Sequence, residues 1–166
     1  MYLLLSQCIF IITSLLPVDP KDDPRFEERV SVCQTLTREA ENQEVPLDLV
    51  LAVAWQEARM TDAGTNSSGC SGPMQIKIKY WCPNKKGDWH ITKADGALDH
   101  CDLYERGVYA LNYYLNRFKT TKSALCGYGW GNCTSEGMEK YVNRTLKYRE
   151  VINDALNVYW KQKSER

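Results

Sequence analysis

The sequence predicts a mainly α-helical domain in which two glycine-rich segments flank one buried carboxylate. Three observations carry that expectation. Apolar residues recur at helical spacing over residues 25–44 (Phe26, Val30, Cys33, Leu36) and 100–118 (Leu103, Val108, Leu111, Tyr114, Leu115, Phe118). Gly, Ser, Thr and Asn crowd residues 61–73, and glycine returns at 127, 129 and 131. Glu57 closes an otherwise apolar run, Leu49-Val50-Leu51-Ala52-Val53-Ala54-Trp55.

Glu57 is the residue with the most chemistry in it. A carboxylate on a buried helix is costly to keep ionised, and burial raises its pKa. A carboxylic acid held protonated near neutral pH can give a proton to a leaving oxygen. The ordinary alternative is a solvated carboxylate at a helix end, paired with Arg59.

The elements follow in order. Residues 25–44 form the first helix of the domain. Pro46 opens the next, where a proline in the first turn costs no hydrogen bond, and that helix runs to about residue 60. Residues 61–73 are a loop and 74–80 a short helix. Residues 82–99, with Pro83, Gly87 and Gly96, are irregular. A helix over 100–118 precedes the second glycine-rich loop, and Ser135 caps a last helix that ends near residue 161. There is no internal repeat and no low-complexity tract.

Composition narrows the function. The 166 residues suit one domain with a real core. Lys and Arg number 21, as do Asp and Glu, so the net charge is zero, which argues against nucleic acid as a partner. Ten Tyr and five Trp suit a saccharide groove, since flat rings with polar edges can face sugars, and suit ordinary packing too.

Residues 1–16 are apolar and uncharged, shorter than the roughly 20 residues of a membrane-spanning helix. Pro17, Asp19, Pro20, Lys21, Asp22, Asp23 and Pro24 end the run. The expected division is an export signal or membrane anchor over 1–18 and a domain over 19–166, with export favoured over anchoring through residues 1–16. A basic start and a small-x-small cleavage site are missing, and a first helix packed on the core is the third reading. Seven cysteines are present. Loss of Cys8 with a signal leaves six, which suggests three disulfides in an exported chain. Cys126–Cys133 and Cys70–Cys82 are the local loop closures, leaving Cys33 for Cys101, although spacing does not determine pairing. No Cys-x-x-Cys pair exists, and His90 and His100 stand at no ligand spacing, so neither a metal nor another cofactor is expected.

Three segments resemble the soluble lytic transglycosylase family, which shares a fold with goose-type lysozymes. Val45-Pro46-Leu47-Asp48-Leu49-Val50-Leu51-Ala52-Val53-Ala54-Trp55-Gln56-Glu57 is similar to its catalytic helix. Ser68-Gly69-Cys70-Ser71-Gly72-Pro73-Met74-Gln75-Ile76 is similar to its Gly-Leu-Met-Gln stretch. Ala124-Leu125-Cys126-Gly127-Tyr128-Gly129-Trp130-Gly131 is similar to its Ala-Tyr-Asn-Ala-Gly stretch. Their order and spacing fit, and the resemblance covers about residues 44–150. Three departures stand out: Ala58 follows the acid where the family has Ser, Pro73 replaces Leu, and Gly129 and Trp130 replace Asn and Ala.

The resemblance implies a lysozyme-like helical domain around a glycan cleft, exported to the periplasm, the medium or a virion. Its partner is peptidoglycan, and its setting is wall turnover, or a secretion, conjugation or phage machinery. It implies cleavage of the β-1,4 bond between N-acetylmuramic acid and N-acetylglucosamine, with Glu57 as general acid and base and a 1,6-anhydro product. Tyr128 is implied to orient Glu57, Gln75 to meet the sugar acetamido group, and Met74 to line the cleft. Tyr141, seven residues from Tyr148 on one helical face, is a further candidate for substrate contact. The rival readings are a hydrolytic lysozyme of the same fold and a non-catalytic wall-binding protein. The first needs a second carboxylate, such as Asp62, Asp88, Asp95, Asp99 or Asp102.

Overall fold

The structure is a computed structural model that describes residues 2–83, 101–130 and 136–165. Asp88, His90, Asp95, Asp99, His100, Gly131, Cys133 and Ser135, which figured above, lie outside the described residues. The described elements are α1 (Tyr2–Leu15), a 3-10 turn (Pro20–Asp22), α2 (Phe26–Asn42), α3 (Leu47–Ala58), β1 (Cys70–Ser71), β2 (Ile76–Lys77), α4 (Ile78–Trp81), α5 (Leu103–Arg117), α6 (Thr121–Trp130) and α7 (Glu136–Ser164). The fold is mainly α, as the periodicity predicts.

α3 is the central helix because it is apolar on every side. Every residue from Leu49 to Trp55 is buried, which requires neighbours all round. α2 and α7 supply them. α2 buries Val30, Cys33, Leu36, Thr37 and Ala40, a stripe at helical spacing. α7 is anchored to the start of α3 by the Arg149–Asp48 ion pair, and Asn153 Nδ2 donates to the same carboxylate at 2.9 Å. α5 begins where Asp102 caps it, its side chain accepting from the backbone N–H groups of Tyr104 and Glu105. It packs on α2 and α6.

Two expectations are corrected. Gly127 and Gly129 of the second glycine-rich segment are not in a loop: they stand inside α6, which runs to Trp130. Both glycines serve approach between helices rather than a turn. Residues 61–73 do form a loop, but it ends in an antiparallel hairpin, with Cys70 opposite Lys77 and Ser71 opposite Ile76. Gly72 turns that hairpin at φ +80°, and a Cβ there would stand 2.8 Å from Leu103 Cβ. Only glycine fits both demands.

Two of the expected cysteine pairings, Cys70–Cys82 and Cys33–Cys101, are also overturned. The bonds are Cys8–Cys33 and Cys82–Cys101, and Cys70 is free. Cys126 is disulfide-bonded as well. Proximity along the chain suggested Cys70–Cys82, but Cys82 ends α4, which packs on α5 just past Cys101. Cys33 is taken by Cys8 because α1 lies on α2. In this structure residues 2–15 form a helix packed on the core. α1 buries Cys8, Ile11 and Ile12 against α2 and α7, and Ser6 Oγ and Tyr159 Oη share a hydrogen bond of 2.6 Å. No helix among the described residues is long and apolar enough to cross a membrane.

Candidate active site

A cleft of about 640 Å³ opens between the end of α3, the hairpin, α4, α5 and α6, with Glu57 in its lining. Asn66, Gln75, Lys77, Trp81, Tyr114 and Tyr128 also face it. That volume suits a ligand of a few sugar-sized units. Glu57 and Lys77 are the charged side chains of the lining among the described residues.

Glu57 sits on the last turn of α3, and the chain beyond it turns sharply. Arg59 (φ 52°) and Met60 (φ 57°) both adopt the left-handed conformation, uncommon for residues with a side chain. Met60 is fully buried, and Arg59 is held by its Nη1 donating to Tyr148 Oη at 2.7 Å. The helix thus ends one residue past the acid. Burial pushes the Glu57 carboxyl up from 4.5 to about 7, while the hydroxyl of Tyr141, which donates to its Oε1 at 2.5 Å, pulls it down. Burial wins, so a large share of the acid is protonated at neutral pH.

The other predicted residues divide. Gln75 lines the cleft with a left-handed backbone (φ 47°). Its amide is braced, Nε2 donating to the Gly72 carbonyl at 2.9 Å and Oε1 accepting from Asn66 Nδ2 at 3.0 Å. Tyr128 lines the cleft, but its hydroxyl donates to the Met74 carbonyl at 2.6 Å, so the expectation that it orients Glu57 is corrected. That bond ties α6 to the hairpin. Met74 is wholly buried, not part of the cleft wall. Its side chain packs against Gly107 of α5, where a Cβ would stand 3.0 Å from its sulfur. Tyr141 touches the acid itself, so it positions Glu57 rather than lining the cleft.

Sequence reasoning missed the partner of the acid because 84 residues separate Tyr141 from Glu57. The signal was present in Gly129. A Cβ there would stand 2.8 Å from the Tyr141 ring, so the glycine that replaces the family's Asn is what lets that ring reach the acid. Asn66, Lys77, Trp81 and Tyr114 were also missed. Tyr114 reads as core by its helical spacing, yet it lines the cleft. Asp62 and Asp102, candidates for a second carboxylate, do not line it, and Asp102 is occupied as a cap. Among the described residues no group of three or more His, Cys, Asp or Glu is placed to hold a metal ion.

A helical domain with a carboxyl raised by burial, that of Glu57, in an open, aromatic-walled cleft suits the lysozyme-like class. The family model described as the transglycosylase SLT domain matches residues 34–151, and the chain belongs to that family. It is thereby of the lytic transglycosylase type, a peptidoglycan-acting domain. No curated protein and no solved structure matches the chain significantly.

Proposed function

We propose that the protein is a lytic transglycosylase that cuts the MurNAc-β-1,4-GlcNAc bond with Glu57 as its acid and base. The observation that carries this is the state of Glu57: a carboxyl raised to about 7 by burial, inside a sugar-sized cleft, steadied by Tyr141. Protonated Glu57 gives its proton to the glycosidic oxygen as the bond to the muramic acid C1 breaks. The N-acetyl carbonyl of the same sugar shares the positive charge left at C1. The muramic acid 6-hydroxyl oxygen then bonds to C1 and its proton passes to the Glu57 carboxylate. The acid is restored, the product is a 1,6-anhydro sugar, and no water is consumed.

Hydrolysis by the usual route needs a second carboxyl group beside the bond. Glu57 is the one carboxylate in the cleft lining among the described residues, which favours transglycosylation. Export accords with a substrate outside the cytoplasm and with the disulfides of Cys8, Cys33, Cys82 and Cys101.

Mass spectrometry of peptidoglycan digested by the full, oxidised chain tests the proposal, with Glu57→Gln alongside. Anhydro-muropeptides, lighter by one water than lysozyme products and absent with the variant, are expected. Reducing-end products mean a hydrolase. An inert but folded wild type overturns catalysis on this substrate.

A further inference from the structure

Granted the peptidoglycan reading above, on which this rests, we propose that the outer face of α5 holds the uncut part of the glycan strand. The groove there is separate from the cleft and joined to it through Trp81. It encloses about 340 Å³ and is lined by Tyr109, Asn112, Tyr113, Asn116 and Arg117. Those positions fall at i, i+3, i+4, i+7 and i+8, one face of a single helix. A solvent face of this kind ordinarily carries mixed charges. Here it carries two tyrosines, exposed by 44% and 40%, two amides, one cation and no carboxylate.

That set matches a sugar chain. A pyranose ring has an apolar C–H face, which a tyrosine ring can cover, and a rim of hydroxyl and acetamido groups, which amides can bond. Asn116 Nδ2 donates to Asn112 Oδ1 at 3.0 Å, the one hydrogen bond of these two side chains among the described residues. The NH2 of Asn112 and the carbonyl of Asn116 are left as a donor and an acceptor side by side, the complement of an acetamido group. Arg117 suits a polymer whose lactyl and peptide groups carry carboxylates.

The groove is braced, and it is continuous with the cleft. Arg117 Nη1 donates to Tyr113 Oη at 2.6 Å. The Arg106 guanidinium lies 4.0 Å over the Tyr109 ring, and its Nε donates to the Trp81 carbonyl at 2.9 Å. The Trp81 ring meets Tyr109, Tyr113 and Tyr114 edge-on, at centroid distances of 6.2, 5.4 and 5.9 Å. Trp81 and Tyr114 themselves line the cleft. Aromatic surface therefore leads without a break from the lining shared with Glu57 to the outside of α5. A strand leaving the cleft over Trp81 meets Tyr113 and Tyr109 next.

The test compares long glycan strands with fragments of two disaccharides, using the full chain. Affinity is measured in the Glu57→Gln background and KM and kcat with Glu57 intact. The variants are Asn112→Ala with Asn116→Ala, and separately Tyr109→Ala, each checked by its melting temperature; if one unfolds, the other carries the test. Each is expected to weaken long-strand binding about fivefold to tenfold, the worth of one or two lost hydrogen bonds or a lost ring contact. KM for long strands rises by the same factor, while kcat and short-fragment binding hold. Unchanged long-strand binding overturns the groove and leaves the transglycosylase standing. An equal loss on short fragments also overturns it, since the change is then felt in the cleft. A wild type that neither binds nor cuts any strand removes the peptidoglycan reading, and the groove with it.

Discussion

At the scale of single residues, two opposed influences set the Glu57 carboxyl. Burial raises it to about 7 and the Tyr141 hydroxyl lowers it. Because the acid form is the active one in the first step, kcat/KM is expected to fall as pH rises above about 7, tenfold per unit at the limit. A pH–rate profile checks this. Tyr141→Phe removes the donor and keeps the ring, so the alkaline limb should move to higher pH while the rate drops about tenfold or more. A ring that served only as packing would move neither. The same shift has a consequence for stability. Glu57 titrates near 4.5 unfolded and about 7 folded, so between those values the folded state binds more protons. The contribution of Glu57 to stability is therefore greatest below 4.5 and is lost as pH rises through 7, by about 3 kcal/mol. Denaturant unfolding at the two ends should show this slope in the wild type and a much flatter one in Glu57→Gln.

At the scale of elements, α6 shows glycine used for closeness. Helix propensity alone says that Gly129→Ala stabilises α6 by about 1 kcal/mol. The new Cβ, however, would stand 2.8 Å from a ring atom of Tyr141, which is itself tied to Glu57. Overpacking of this kind costs about 1–3 kcal/mol and displaces the ring. The clash is expected to win. Thermal unfolding should show a lower midpoint, and activity should fall further than stability explains, because the ring that moves is the one bonded to the acid. The hairpin is the second such device. Gly72 turns it, Gln75 faces the cleft from its left-handed position, and Tyr128 of α6 clips it down through the Met74 carbonyl.

At the scale of the whole molecule, the cleft is assembled from parts remote in sequence, and covalent links hold the frame around it. Cys8–Cys33 spans 25 residues and fastens α1 to α2. Closing a loop of that length is worth about 3 kcal/mol. Cys8→Ser is expected to lower the stability of the oxidised chain by about that much. Cleavage by the molecules that remain folded should continue, since α1 contributes nothing to the cleft lining. Parallel melts and activity assays separate the two effects. Loss of activity at temperatures where the variant is folded would mean that α1 shapes the cleft.

The helical class, the central apolar helix and the acid at its end are legible in the chain alone. These are local facts: the apolar run from Leu49 to Trp55, opened by Pro46, reads as a helix enclosed by others, and a carboxylate on its last turn shares that burial. The ordered motifs around Glu57, Gln75 and Tyr128 grouped the three segments in the resemblance, but as loops and a short helix rather than as the hairpin and α6. Tertiary structure decided the rest. It assigned the acid to Tyr141 and Tyr128 to the Met74 carbonyl, buried Met74, and joined Cys33 to Cys8. Each of these is a contact between segments far apart in the chain. Periodicity reports which face of an element is apolar, but which side chain of a distant helix fills the space in front of it depends on how the helices pack.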